Sequence, residues 1–138
     1  MYLEHLNMVV TDMQQSLNFY RAAFPEWKVR GGGSDDWYGK PRNWLHFGDD
    51  KQYLALSDHG EGQIRKHQGA QPGLSHFAFV VSNIDAVRKR LVEAGFEVSN
   101  PGNPTEHRSN LYFRDPDGFE IEFVEYHSDL MAQRNDYS

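Results

Sequence analysis

Leu3-Glu4-His5-Leu6-Asn7-Met8-Val9-Val10-Thr11-Asp12 repeats as Leu74-Ser75-His76-Phe77-Ala78-Phe79-Val80-Val81-Ser82-Asn83, at a constant offset of 71 residues from His5 to His76. Leucine, histidine and both valines are identical, and Thr/Ser and Asp/Asn match in chemistry. Self-similarity of this kind means one supersecondary unit used twice. The equivalent histidines suggest that the copies share a role as well as a fold.

Working outward, each repeat reads as a short strand followed by a capped helix. Leu3–Val10 is β-rich, Thr11-Asp12 signals a cap, and Met13, Leu17, Tyr20 and Phe24 recur near helical spacing as far as Pro25. Trp27–Arg30 reads as a second strand, and Gly31-Gly32-Gly33-Ser34-Asp35-Asp36 as a loop. Trp44–Phe47 and Gln52–Ser57 predict a hairpin around Gly48-Asp49-Asp50-Lys51. The second copy follows the same order. It has a strand at 74–81, a helix carrying Ile84, Val87, Leu91 and Val92, a strand at 96–99, and a hairpin of 110–114 and 119–125 around Asp115-Pro116-Asp117-Gly118. The expectation is one α+β domain over 1–138. It has two βαβββ modules (1–58 and 74–126), a glycine-rich linker (59–73) and a polar tail (127–138) with a short helix. The strands would form an eight-stranded, curved, mixed sheet.

Composition fits a packed globule: 138 residues, 38% hydrophobic, with nine Phe, seven Tyr and three Trp. A net charge of −6 speaks against nucleic acid as the main partner. No apolar run has the length of a membrane span, and no secretory signal opens the chain, so a cytoplasmic location is expected. With no cysteine, disulfides and thiolate sites are excluded, and any metal must be held by histidine and carboxylate.

Strand alternation assigns two faces. One carries Leu6, Met8, Val10, Leu45, Phe47, Leu54, Leu56, Phe77, Phe79, Val81, Leu111, Phe113, Ile121 and Phe123, and must pack against the helices. The other carries His5, Asn7, Trp44, His46, Tyr53, Ala55, Ser57, His76, Ala78, Asn110, Tyr112, Arg114, Glu120 and Glu122. A polar and aromatic face of this kind suits a binding cup. The hairpins align as well, placing Leu54-Ala55-Leu56 on Ile121-Glu122-Phe123. Four positions are then equivalent: His5, Ala55, His76 and Glu122. Three carry metal ligands and the fourth a methyl group. Two histidines and a carboxylate leave open positions on an ion for substrate, water or dioxygen. Asn7, Trp44, His46, Tyr53, Ala55 and Arg114 are candidates for the pocket lining, against ordinary sheet packing for the aromatic ones.

The duplicated strand–His–helix, with a hairpin ending in Asp115-Pro116-Asp117-Gly118-x-x-x-Glu122, resembles the vicinal oxygen chelate superfamily. That superfamily takes in glyoxalase I, extradiol dioxygenases, fosfomycin-resistance enzymes and bleomycin-binding proteins. The resemblance implies paired βαβββ modules and a divalent metal (Fe2+, Mn2+, Ni2+ or Zn2+) on His5, His76 and Glu122. Glyoxalase I has a fourth ligand, a glutamate, where this chain has Ala55. Thr105-x-His107 and Leu111-Tyr112 resemble the extradiol signature, which implies catalytic roles for His107 and Tyr112 beside Glu122. Tyr112 and the tail Tyr126-His127-Ser128-Asp129-Leu130 are similar to the fosfomycin enzymes. The resulting expectation is a metal-dependent enzyme chelating vicinal oxygens of a small-molecule substrate, with a slight preference for extradiol dioxygenase chemistry. The alternatives are a glyoxalase-like lyase or isomerase, a fosfomycin-type thiol transferase, or a metal-free binding protein. A homodimer is expected, because cups in this superfamily are built within one chain or by modules exchanged between two.

Overall fold

The element order runs twice along the chain in the computed structural model, which describes residues 1–137. The first copy is β1 (His5–Val9), α1 (Met13–Ala23), β2 (Lys28–Trp37), β3 (Lys40–Gly48) and β4 (Tyr53–Ser57). The second is β5 (Phe77–Val80), α2 (Ile84–Glu93), β6 (Val98–Asn100), β7 (Arg108–Arg114) and β8 (Glu120–Tyr126). A short α3 (Met131–Arg134) follows in the tail, whose last residue, Ser138, lies outside the described residues. The chain forms two units, the first through Gln63 and the second from Ile64. Each holds its own four-stranded mixed sheet, ordered β1-β4-β3-β2 and β5-β8-β7-β6. This is the α+β, twice-βαβββ fold that the repeat predicts, its eight strands divided four and four.

Register confirms the repeat residue by residue. On the parallel pair of the first sheet, Leu6 faces Leu54 and Asn7 faces Ala55. On that of the second, Phe77 faces Ile121 and Ala78 faces Glu122. Ala55 and Glu122 therefore occupy the same place in the two sheets. Across the antiparallel hairpins, His46 pairs with Ala55 and Tyr112 with Glu122.

Both helices start on side-chain caps. Asp12 accepts the Gln15 N–H at 2.9 Å, and Asn83 accepts the Ala86 N–H at 3.0 Å. Each cap satisfies an amide that has no partner within the helix. Helix α1 stops at Phe24, ahead of Pro25, because a residue before proline is pushed out of helical geometry. It buries Leu17, Phe19, Tyr20 and Ala23. The Tyr20 hydroxyl points to the Met8 sulfur at 3.8 Å. Helix α2 buries Ile84, Val87 and Leu91 and packs against β8. The apolar strand face supplies the rest of the core: Met8, Val10, Phe47, Leu54, Leu56, Phe77, Leu111, Phe113, Ile121 and Phe123 are all buried.

The glycine run departs from expectation. Residues 31–36 are strand, not loop, and continue β2 to a two-residue turn at Tyr38-Gly39. Both turn residues have positive φ, 48° and 86°, as the tight hairpin turn that matches strand twist requires. The reason lies across the ladder. A Cβ on Gly32 would stand 2.4 Å from the Trp44 carbonyl oxygen, so no side chain fits there. The Trp44 indole lies over Gly33, 3.2 Å from where its Cβ would be. An aromatic side chain thus covers a backbone that would otherwise be a poor strand. The ladder slips once, between Val29 and Gly31, which is a bulge.

The segment after Ser57 is irregular, and from Ile64 onward it belongs to the second unit. Arg65 donates to the Gln71 and Gly69 carbonyls at 2.8 and 2.6 Å, and His67 Nε2 lies 2.7 Å from the Gly118 carbonyl.

Candidate functional site

In the second unit, the β7–β8 ladder stands Tyr112 beside Glu122, and the β5–β8 ladder brings the residue after His76 close by. Glu122 sits between Ile121 and Phe123, both fully buried on the opposite face. Its side chain is only 13% exposed, so its charge needs partners. It has three. The Asn110 side-chain amide donates to Oε1 at 2.8 Å. His76 Nε2 lies 3.3 Å from Oε2. Tyr112 faces the same carboxylate from its register position across the ladder. Burial, and then the bond to Glu122 and its charge, raise the Tyr112 pKa above the ordinary phenol value. Tyr112 is therefore a neutral donor near pH 7. Its ring meets that of His76 edge-on, with centroids 5.5 Å apart.

Nothing in the sequence singles out Asn110 as a site residue. It is buried, and it bridges Glu122 to the loop before β7 by accepting the Asn103 N–H at 2.9 Å. Alternation puts it on the face of Glu122, but its bond to that carboxylate runs diagonally across the ladder, since its register partner is Val124. Glu120, on the same face as Glu122, faces Arg114 at 3.5 Å and accepts the Ser99 hydroxyl at 3.3 Å. The carboxylate paired with a histidine is Glu122. Arg114 is exposed and borders a cavity of about 420 Å³ with Lys66, His67, Gln68 and Gly69. His107 lies before β7 with its Nε2 3.9 Å from Glu106, and its carbonyl accepts the His127 N–H at 2.9 Å. Tyr112 lies five positions further on, about 17 Å along an extended strand. The structure does not bring His107 to Glu122.

In the first unit, the same sheet face carries a row of rings. His5 stacks on Tyr53 (centroids 4.7 Å apart, planes at 12°), Tyr53 stacks on His46 (4.4 Å, 26°), and His46 lies 5.4 Å from Trp44. The Arg30 guanidinium sits 4.5 Å from the Tyr53 centroid. Burial, and then the nearby charges of Arg30 and His5, lower the His46 pKa, so it is neutral near pH 7. Ala55 is buried beneath this row, and its ladder partner Asn7 is exposed. Nδ1 of His5 lies 2.9 Å from the Glu4 carboxylate, which leaves Nε2 open.

Among the described residues, no group of three or more His, Asp or Glu side chains is close enough to hold an ion. The second unit does assemble two donors, the His76 imidazole and the Glu122 carboxylate. This nitrogen–oxygen set suits Mn, Fe, Ni or Zn in the divalent state. Among the described residues, no helix is long and apolar enough to cross a membrane.

These features have a family. The family model of the Glyoxalase/Bleomycin resistance protein/Dioxygenase superfamily matches residues 2–123, and the chain belongs to that superfamily. A relative in Shouchella clausii (strain KSM-K16), "Metallothiol transferase FosB", is 29% identical over 138 residues, covering 96% of this chain and 83% of its own length. Among solved structures, a glyoxylase/bleomycin resistance protein/dioxygenase domain from Frankia sp. EAN1pec superposes with a TM-score of 0.76 at 23% identity, covering 94% of this chain and 95% of that one. The fosfomycin resistance protein FosX from Listeria monocytogenes, complexed with Mn(II) and 1S,2S-dihydroxypropylphosphonic acid, gives 0.69 at 18% identity, covering 94% of each chain. The last two likenesses concern the fold.

Proposed function

We propose that the protein is a divalent-metal-dependent transferase that adds a thiol to a small electrophile bearing adjacent oxygens. The observation that supports a metal is the His76–Glu122 pair at 3.3 Å, buttressed by Asn110 and Tyr112. In this reading His5 is the third ligand, since it holds the repeat position of His76. The metallothiol transferase relative tilts the reaction toward thiol transfer and away from the ring cleavage that the extradiol-like motif suggested. The preference for ring cleavage rests on the three-ligand set, and that set serves thiol transfer equally well.

Bound there, a divalent ion would act as a Lewis acid on the substrate oxygens. The chain's own residues do the rest. Asn110 holds Glu122 in orientation, as partners of ligating carboxylates do. A thiolate attacks the electrophilic carbon, a C–S bond forms, and the C–O bond breaks with its electron pair going to oxygen. That oxygen takes a proton, and Tyr112, kept protonated, is the nearest hydroxyl donor on the Glu122 face. Ala55, at the repeat position of Glu122, cannot ligate, so in this reading the ion has three protein ligands.

The test assays thiol consumption with Mn(II), Mg(II), Ni(II) or Zn(II) on an epoxyphosphonate, beside dioxygen uptake with Fe(II) on a catechol panel and isomerisation of a hemithioacetal. Metal-dependent thiol loss is expected, and it should fall about 100-fold in Tyr112→Phe if the hydroxyl delivers the proton. Robust dioxygen uptake or isomerisation without thiol consumption would overturn the proposal. So would tight binding of an aromatic or cationic compound by protein that retains no metal.

A further inference from the structure

His5 and His76 hold the same position in the repeat, yet their surroundings differ. At Glu4's equivalent position stands Ser75, and where Tyr53 faces His5 in the first sheet, the second carries Glu120. His5 alone has a carboxylate 2.9 Å from Nδ1 and an aromatic ring stacked within 12° of its own plane. We infer that Glu4 and Tyr53 are positioning residues for His5, fixing its tautomer and its ring plane so that the Nε2 lone pair is presented to a metal. The inference rests on the metal reading above.

The argument is one of donors and acceptors. An ionised carboxylate only accepts, so the nitrogen facing Glu4 must carry the hydrogen. A neutral imidazole with its hydrogen on Nδ1 has its lone pair on Nε2. A metal-binding histidine commonly donates its other N–H to a carboxylate, which fixes the tautomer and raises the basicity of the ligating nitrogen. The hydrogen bond leaves the ring free to swing about the Nδ1···carboxylate axis. Stacking on Tyr53 removes that freedom. Tyr53 is held in turn by the His46 ring at 4.4 Å and by the Arg30 guanidinium at 4.5 Å. The row runs across the strands in ladder order, so the sheet itself sets the spacing. His76 has neither device: its Nε2 lies 3.3 Å from the Glu122 carboxylate, and Ser75 stands in the place of Glu4.

The experiment measures Mn(II) affinity by calorimetric titration of chelator-stripped full-length protein, with the visible spectrum of the Co(II) form as a second readout. Glu4→Ala and Tyr53→Leu should each weaken Mn(II) binding by about 10-fold and alter the Co(II) bands, within the range expected for partners of a ligating histidine. Glu4→Gln, whose amide oxygen still accepts, and Tyr53→Phe, which keeps the ring, should recover most of the affinity. Far-ultraviolet dichroism confirms that each variant is folded. His5→Ala separates the two levels of the argument. If His5→Ala loses binding while Glu4→Ala and Tyr53→Leu bind as tightly as the unmodified protein, the positioning role is wrong and the metal reading stands. If His5→Ala itself binds Mn(II) unchanged, His5 is not a ligand and both fail.

Discussion

The two modules agree in register and disagree in what the register carries. On the face toward the helices they are near copies: Phe47 and Phe113, Leu54 and Ile121, Leu56 and Phe123 are equivalent pairs and all buried. On the other face Ala55 stands for Glu122, His46 for Tyr112, Trp44 for Asn110 and Tyr53 for Glu120. Close packing holds the first set, since interiors tolerate little change in volume. Nothing of the kind holds the second, and there the copies have diverged into an aromatic row and a hydrogen-bonded carboxylate cluster. The two modules are thus equivalent frames, and the buried carboxylate stands in one of them.

The largest effect follows from exchanging the residues that separate the frames. If Glu122 ligates as proposed, Glu122→Ala should weaken Mn(II) binding by about 100-fold or more, more than the loss of a partner of a ligand. It should leave the fold intact, because the side chain faces away from the helical layer. Ala55→Glu should tighten Mn(II) binding and suppress thiol transfer by filling the open position. The transposed double variant, Glu122→Ala with Ala55→Glu, tests the equivalence most directly. It should recover only part of the affinity, because Trp44 stands where Asn110 would have to hold the new carboxylate. Calorimetric titration measures all three. Full recovery would show that register alone defines the site and that Asn110 adds nothing.

A smaller effect separates the modules by pH. The His46 pKa is lowered in the folded state from an ordinary value of 6.5, so between the two pKa values the unfolded chain binds a proton that the folded chain does not. The stability this contributes is complete above about 6.5 and is lost as pH falls toward the folded pKa. Tyr112, at the equivalent position, has the opposite habit. Its pKa is raised from 10.0, so its contribution is complete below about 10 and is lost as pH rises through the folded pKa. Urea denaturation at pH 5.5 and 7.5 should show a loss on the acid side that is reduced in His46→Gln and retained in Tyr112→Phe. The same acid loss in His46→Gln would place its cause elsewhere.

What was legible in the sequence follows the same division. The repeat gives topology and register because His5/His76 and the hairpin cores carry identical or similar residues at fixed offsets. It therefore makes Ala55 the equivalent of Glu122 before any coordinates are known. The glycine run at 31–33 misreads as loop because its support is an indole eleven residues away across the ladder. Asn110 escapes because the chain does not display the carboxylate it must satisfy. His107 attracts notice through a motif, but a motif measures separation along the chain, and an extended strand turns five residues into about 17 Å.

The smallest prediction concerns the helix caps, which are repeat-equivalent yet differ in charge. Asp12 and Asn83 each accept one amide hydrogen, at 2.9 and 3.0 Å, so replacing either with alanine should cost about 1 kcal/mol. Charge separates them. Helix α1 has no acidic residue in its first turn, so Asp12 alone complements the positive end of the helix dipole. Asp12→Asn keeps the hydrogen bond and removes the charge, and should cost about 0.5 kcal/mol. Helix α2 already has Asp85 in its first turn, and the Glu125 carboxylate accepts the Ile84 N–H at 2.9 Å. A further carboxylate from Asn83→Asp would meet two others, and their repulsion should cancel the dipole gain. The expected asymmetry is a measurable loss for Asp12→Asn and no gain for Asn83→Asp, read by urea denaturation at low salt, where surface charges are least screened. If Asn83→Asp stabilises as much as Asp12→Asn destabilises, the two helix starts are electrostatically alike, and Glu125 is not doing at α2 what Asp12 does at α1.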